Sequence, residues 1–275
     1  MQKIKHHAAL SRIFWQERVM PMERSILYCA GCKTSARYAS VFLSDQGAVI
    51  SQEPTNDITH LLLDVPSFNA EGMLQDGSPL TSLLRALPTN VIICGGNLEH
   101  PDLAGYQKVD LLQDSMYLAE NAYITAECAL EIGLLKSSLT LRHCPVLVIG
   151  WGRIGKCLAD LLKRLGAEVT VAARKETDRA MITALGYRAI DTGCMAAYLG
   201  SYRLIYNTAP EMVLPKHLTN NLHPDCVKID LASKPGIDAE GVIWARGLPG
   251  IHRPESSGRL IADTMIRLLF KEGSP

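Results

Sequence analysis

Six residues, Gly150-Trp151-Gly152-Arg153-Ile154-Gly155, constrain this chain more than any other feature. They follow the apolar run Val146–Ile149 and open the amphipathic stretch Ile154–Leu165, which is the strand–turn–helix context that gives the pattern meaning. In such a turn Gly150 permits the sharp reversal, and Gly152 removes a side chain where a pyrophosphate must approach the backbone. Gly155 lets the helix pack closely on the strand. The first helical N–H groups, those around Arg153 and Ile154, then face the phosphates at the positive end of the helix dipole.

The glycine turn sits inside a regular alternation. Downstream, strands are expected at Glu168–Ala172, Arg188–Ile190, Arg203–Tyr206, Val227–Asp230 and Val242–Trp244, with helices at Glu176–Leu185 and Ser257–Phe270. Upstream, Ser25–Ala30, Thr59–Val65 and Asn90–Cys94 read as strands, with Ser35–Leu43 and Pro79–Leu87 as helices. Continuous apolar strands separated by amphipathic helices indicate parallel sheets covered on both faces. Between the two blocks, residues 115–136 form one long helical pattern, with Met116, Ala119, Tyr123, Ala126, Leu130 and Leu134 at helical spacing. Residues 1–24 read as a polar-basic arm with an apolar patch at Ile13, Phe14 and Trp15.

The 275 residues suit two domains, and 28 basic against 28 acidic residues leave no net charge for wrapping a nucleic acid or coating an acidic membrane. No apolar run approaches a membrane span, and the opening MQKIKHH lacks the core of a signal peptide. The eight cysteines are too scattered for a disulfide framework, so a cytoplasmic protein with reduced thiols is expected.

At the tip of the second strand of this block, where an acid would meet the ribose 2′-hydroxyl of NAD, stand Arg174 and Lys175. Two cations there favour the 2′-phosphate of NADP, with NAD still possible. Three later strand ends carry Asn207-Thr208-Ala209-Pro210, then the loop 230–236 with Lys234, then Gly247–His252 followed by Arg253. All leave the carboxyl edge of one sheet, where ligands sit, although turn chemistry alone also explains their Gly and Pro residues.

Together, the glycine turn, Ala-Ala-Arg-Lys, Asn-Thr-Ala-Pro, Asp-Leu-Ala-Ser-Lys-Pro-Gly and Gly-Leu-Pro-Gly-Ile resemble the family of dipicolinate synthase A subunits. Glu120–Glu127 looks like that family's interdomain segment, and the likeness is strong over about residues 114–270. The resemblance implies two doubly wound α/β domains, one flavodoxin-like (1–120) and one Rossmann (121–256), joined by long interdomain helices. A C-terminal helix, 257–275, would pack back on the first. The first domain would form one wall of a cleft and the second would hold the cofactor. It also implies NADP-dependent oxidation of the heterocyclic dicarboxylate of the lysine pathway to dipicolinate. That reaction would take place in the mother cell of a spore-forming bacterium, beside a flavoprotein-like B subunit of the synthase, and a homo-oligomer is expected. Departures from the family are a short C-terminus, the extra N-terminal arm, and Cys128 where a small residue such as glycine is expected.

For a dicarboxylate, Lys234 and Arg253 are candidate cations, Gly250 a neighbouring backbone contact, and His252 a candidate general base, the role histidine most often serves near neutral pH. Asn121, Thr125 and Glu127 recur at nearly one helical turn and are expected to share a face, Glu127 as a further catalytic candidate. An equally available role for them is structural capping. Cys29-Ala30-Gly31-Cys32 has no second ligand pair and reads as a strand–helix turn rather than a metal site, and His6-His7 has no nearby partner. No metal is expected. Two other readings stay open: a D-2-hydroxyacid dehydrogenase-like reductase, whose Arg–Glu–His series has no convincing counterpart here, and a non-catalytic NADP-binding protein.

Overall fold

In the computed structural model, residues 25–270 are described. The arm at 1–24, with its apolar patch and His6-His7, and the last five residues of the chain lie outside them. The chain forms two compact units: a first made of the N-terminal segment up to Asp114 together with the C-terminal segment from Gly258, and a second, Ser115–Ser257.

The first unit is a parallel sheet of five strands, β1 (Ile26–Cys29), β2 (Val49–Ser51), β3 (His60–Leu62), β4 (Ile92–Gly95) and β5 (Lys108–Asp110). Their spatial order is β2-β1-β3-β4-β5, so the order reverses between β1 and β3. That is a flavodoxin-like winding. Helix α1 (Thr34–Asp45) follows β1 and buries Ala36, Ala39 and Leu43, while α2 (Leu80–Leu84) precedes β4. Leu61, Leu63, Val91 and Ile93 form the centre of this core. The two edge strands, β2 and β5, were not expected. Each has three residues, none of them buried, so neither carries the continuous apolar run that marks a central strand.

The second unit begins with α3 (Ser115–Lys136) and contains the six-stranded parallel sheet β6 (Pro145–Ile149), β7 (Glu168–Ala173), β8 (Arg188–Asp191), β9 (Leu204–Asn207), β10 (Val227–Asp230) and β11 (Val242–Trp244). The order is β11-β10-β9-β6-β7-β8, with the reversal between β6 and β9. This is the Rossmann winding. Helices α4 (Arg153–Arg164) and α5 (Glu176–Ala184) connect β6, β7 and β8, followed by α6 (Lys216–Thr219) and α7 (Leu248–His252). Helix α8 (Pro254–Phe270) carries the chain back to the first unit. There Gly258 lies against Ser35, Tyr38 and Ala39 of α1, Arg259 stacks 4.2 Å over Phe42, and Arg267 pairs with Asp114. Both parallel doubly wound sheets therefore match the expected fold class.

The buried face of α3 shares only Ala126, with Leu130 half-buried, with the residues noted at helical spacing. Met116, Tyr123 and Leu134 are exposed, whereas Ala122, Ala126, Ala129, Ile132 and Gly133 are buried. Side-chain size decides this face: close helix–sheet approach selects small residues, and a bulky apolar stripe would hold the helix off. Gly133 shows it most directly, because a Cβ there would run into the Tyr206 hydroxyl. Gly133→Ala is expected to destabilise the protein by about 1–3 kcal/mol through overpacking, read as a lower midpoint in urea unfolding. An unchanged midpoint would refute this packing.

Candidate functional site

The glycine turn follows β6 at the point where strand order reverses, the place where open α/β sheets bind ligands. Gly150 has φ +103°, a left-handed conformation open chiefly to glycine, and its N–H donates to the Ala172 carbonyl at 2.9 Å. A Cβ on Gly150 would strike Thr208 Oγ1, and one on Gly155 would strike the Gly150 carbonyl. The chain's own packing therefore requires both of these glycines. Gly152 is different. Its backbone is ordinary (φ −78°, ψ −170°), and a Cβ would find nothing within 4 Å. Neither conformation nor packing demands glycine there. The open space lies beside the first turn of α4, whose N-cap, Gly152, supplies no side-chain acceptor. Arg153 and Ile154 thus open a helix whose N–H groups are available to an anion. A pyrophosphate fits this cradle.

The first unit also has a switch point, between β1 and β3, but a closed one. The Asp64 carboxylate, buried behind β3, accepts from the Cys32 N–H at 2.9 Å, the Lys33 N–H at 3.1 Å and the Cys32 thiol at 3.2 Å. Gly31 packs so tightly that a Cβ would lie 2.5 Å from Ala36 and 2.8 Å from Asp64. An internal carboxylate already occupies the place an external anion would take. This also explains the Cys29–Cys32 turn, whose thiols are held in their neutral form. Burial pushes Cys29 up to about 11, and burial with the Asp64 hydrogen bond raises Cys32. Alkylation with iodoacetamide at neutral pH should therefore modify the exposed Cys194 before Cys32, and Cys29 last. Preferential labelling of Cys32, followed by mass spectrometry, would contradict this.

At the end of β7, Ala173 is buried and Arg174 and Lys175 emerge to solvent. The turn is fixed by Arg179, which donates to the Ala173 carbonyl at 3.0 Å and the Arg174 carbonyl at 2.6 Å while pairing with Asp191. Arg174 lies 3.5 Å from Glu211, which stands just beyond Pro210.

Asn207 is fully buried and shapes the turn from within. Its Nδ2 donates to Asp230 Oδ1 at 2.9 Å and to the Ala209 carbonyl at 3.1 Å, and its Oδ1 accepts from the Ala209 N–H at 3.0 Å. Thr208 donates to the Ile149 carbonyl at 2.9 Å, closing the β9 turn onto the glycine turn, and Pro210 is exposed. Asp230 was not singled out from sequence. It also accepts from Ala232 N–H at 3.1 Å and Gly236 N–H at 2.6 Å, so one buried carboxylate binds the ends of β9, β10 and the loop 231–236 together. The signal was an Asn and an Asp that each close an apolar strand and lie opposite each other in register.

The region after β11 departs from expectation. Instead of an open loop, residues from Leu248 form the short helix α7, entered through Gly247 at φ +64°. Gly250 lies within it, and His252 and Arg253 converge on Glu131 of α3, at 3.9 and 3.0 Å. Lys234 is exposed on the loop after β10, with no ion pair among the described residues. On α3, Thr125 is buried and donates to the Asn121 carbonyl at 2.7 Å, but Glu127 is exposed. The three do not share a face, because two further residues rotate Glu127 about 200° from Thr125. Among the described residues no group of three or more His, Cys, Asp or Glu side chains could hold a metal, and no helix is long and apolar enough to cross a membrane.

A parallel sheet whose order reverses at an open glycine turn defines the class: an α/β protein with a Rossmann-type nucleotide-binding unit. No family model matches the chain. The A subunit of dipicolinate synthase from Bacillus subtilis (strain 168) is 26% identical over 239 residues, covering 80% of each protein. The crystal structure of the dipicolinate synthase A subunit from Bacillus halodurans superposes with a TM-score of 0.77 at 23% identity, covering 90% of this chain and 99% of that one. The crystal structure of its Bacillus subtilis counterpart gives the same TM-score at 24% identity, covering 92% and 98%. The chain thus resembles the dipicolinate synthase A subunits in sequence and fold, as its C-terminal motifs indicated.

Proposed function

We propose that this chain oxidises the heterocyclic dicarboxylate of the lysine pathway to dipicolinate with NADP, as one of the two components of a synthase. The observation that carries this reading is the open cradle at Gly152, in a chain 26% identical to a dipicolinate synthase A subunit. The absence of an acid at the end of β7, with Arg174 and Lys175 in its place, supports NADP over NAD. The bound cofactor supplies a hydride acceptor. Gly150 and Gly155 shape the turn, Gly152 leaves the pyrophosphate access to the backbone, and the N–H groups at Arg153 and Ile154 would bind it.

Lys234 and Arg253 bind the substrate carboxylates, beside Gly250. Oxidation removes a hydride and a proton from the ring, and the aromatic product drives the reaction forward. His252 takes the proton, and Glu131, 3.9 Å away, stabilises the imidazolium that results. Asn121 and Thr125 line the substrate side of α3. The partner is the flavoprotein-like B subunit of the synthase, and the setting is the cytoplasm of the mother cell during sporulation.

The test is to mix the purified protein, its flavoprotein-like partner, NADP and freshly prepared lysine-pathway substrate. NADPH absorbance should rise in step with dipicolinate. Absence of both overturns the proposal, and NADP binding without turnover would make the chain a non-catalytic nucleotide-binding protein. His252→Gln should lower kcat at least about tenfold at neutral pH with little change in NADP affinity. An unchanged kcat would remove His252 from the role of base.

A further inference from the structure

The ion pair between Arg174 and Glu211 joins the residue after β7 to the loop after β9, and these two strands flank β6 on either side. The pair therefore bridges the two borders of the crevice that the glycine turn opens. Its two members differ in how they are held. The main chain of Glu211 is fixed: its carbonyl lies where a Cβ on Gly236 would come within 2.6 Å. The adjoining Val213 and Leu214 N–H groups donate to the Gly236 carbonyl at 2.9 and 3.0 Å, and Gly236 is in turn bound by Asp230. Yet both charged side chains are largely exposed, 73% for Arg174 and 66% for Glu211. A carboxylate borne on a fixed main chain, in a weak, solvated pair, is a counter-ion that can be displaced.

We propose that Glu211 is a specificity-determining residue, the displaceable counter-ion of Arg174 that sets how strongly the site prefers NADP to NAD. The proposal rests on the reading of Arg174 as the 2′-phosphate ligand. A phosphate monoester brings roughly two negative charges. It must take Arg174 from Glu211 and then lie near a carboxylate whose main chain keeps it at the crevice border, so Glu211 opposes NADP. The neutral 2′-hydroxyl of NAD has no use for the arginine and no charge to be repelled. Glu211 therefore moderates the preference that Arg174 and Lys175 create, keeping NADP exchangeable.

Calorimetric titration of the intact protein with NADP and with NAD tests this in four forms: wild type, Glu211→Gln, Arg174→Ala and the double variant. Glu211→Gln should tighten NADP about two- to fivefold, the scale of an exposed charge pair, and alter NAD affinity less than about twofold. Arg174→Ala should weaken NADP about tenfold or more and leave NAD nearly unchanged. Most of the gain from Glu211→Gln should vanish in the Arg174→Ala background. If Glu211→Gln leaves the NADP-to-NAD ratio unchanged while Arg174→Ala lowers it, the role of Glu211 falls and the NADP reading stands. If Arg174→Ala weakens both cofactors equally, the 2′-phosphate reading itself falls and takes this proposal with it. If Glu211→Gln selectively weakens NAD, Glu211 is a ribose-binding acid and the proposal is overturned.

Discussion

Replacing Gly152 with valine should abolish tight dinucleotide binding while leaving the protein as stable as before. The separation of the two effects follows from the local geometry. At Gly152 the backbone is in a conformation any residue adopts, and a Cβ would contact nothing. The folded chain therefore does not register the new side chain, and the thermal midpoint should move by no more than about 1–2 °C. The side chain would project into the space through which the pyrophosphate reaches the α4 N-terminus. Losing two backbone-to-phosphate hydrogen bonds at about 1.5 kcal/mol each corresponds to roughly a hundredfold in Kd. Gly155→Val is the contrasting control, since its Cβ would collide with the Gly150 carbonyl and should lower stability as well as binding. Calorimetry beside differential scanning fluorimetry separates the outcomes. Undiminished NADP binding by Gly152→Val would show that the turn is only a strand–helix junction.

Asp230→Ala should be the most damaging single change in the second unit, lowering stability by about 3–5 kcal/mol. Asp230 is buried at the end of β10 and accepts from three donors on three segments: Asn207 Nδ2, Ala232 N–H and Gly236 N–H. Alanine leaves the Ala232 and Gly236 N–H groups and one of the two Asn207 amide hydrogens without an acceptor. In a unit of this size, each kcal/mol shifts the midpoint by about 2–4 °C, so a fall near 10 °C is expected. Asp230→Asn keeps the oxygen that receives Asn207 and should cost about half as much. Because the same carboxylate, through Asn207, holds the β9 turn whose Thr208 closes onto the glycine turn, both variants should also weaken NADP binding. A midpoint unmoved by Asp230→Ala would mean that the network does not hold the strand ends together.

The central strands were legible because burial on both faces demands continuous apolar runs, as in Val146–Ile149 and Leu204–Tyr206. Edge strands β2 and β5 meet no such demand and left no pattern. The glycine turn was legible because each glycine answers a separate local requirement, two of them steric and one a matter of access. Which face of α3 is buried was not legible from the spacing, for the opposite reason. Its packing is governed by small residues such as Ala126 and Gly133, while apolar bulk at Met116 and Tyr123 faces solvent. Long-range partners were not legible at all. Glu131 drawing in His252 and Arg253, and Asp64 capping the start of α1, depend on neighbours far away in the chain. That the switch point of the first unit is filled from within by Asp64 was therefore not legible either.

The central claim is that only one of these two similarly wound units holds a dinucleotide. Calorimetric titration of the intact protein with NADP tests it most directly. One site per chain, lost in Gly152→Val, is the expected result. Two sites per chain, or one that survives Gly152→Val, would place the cofactor elsewhere and contradict the account.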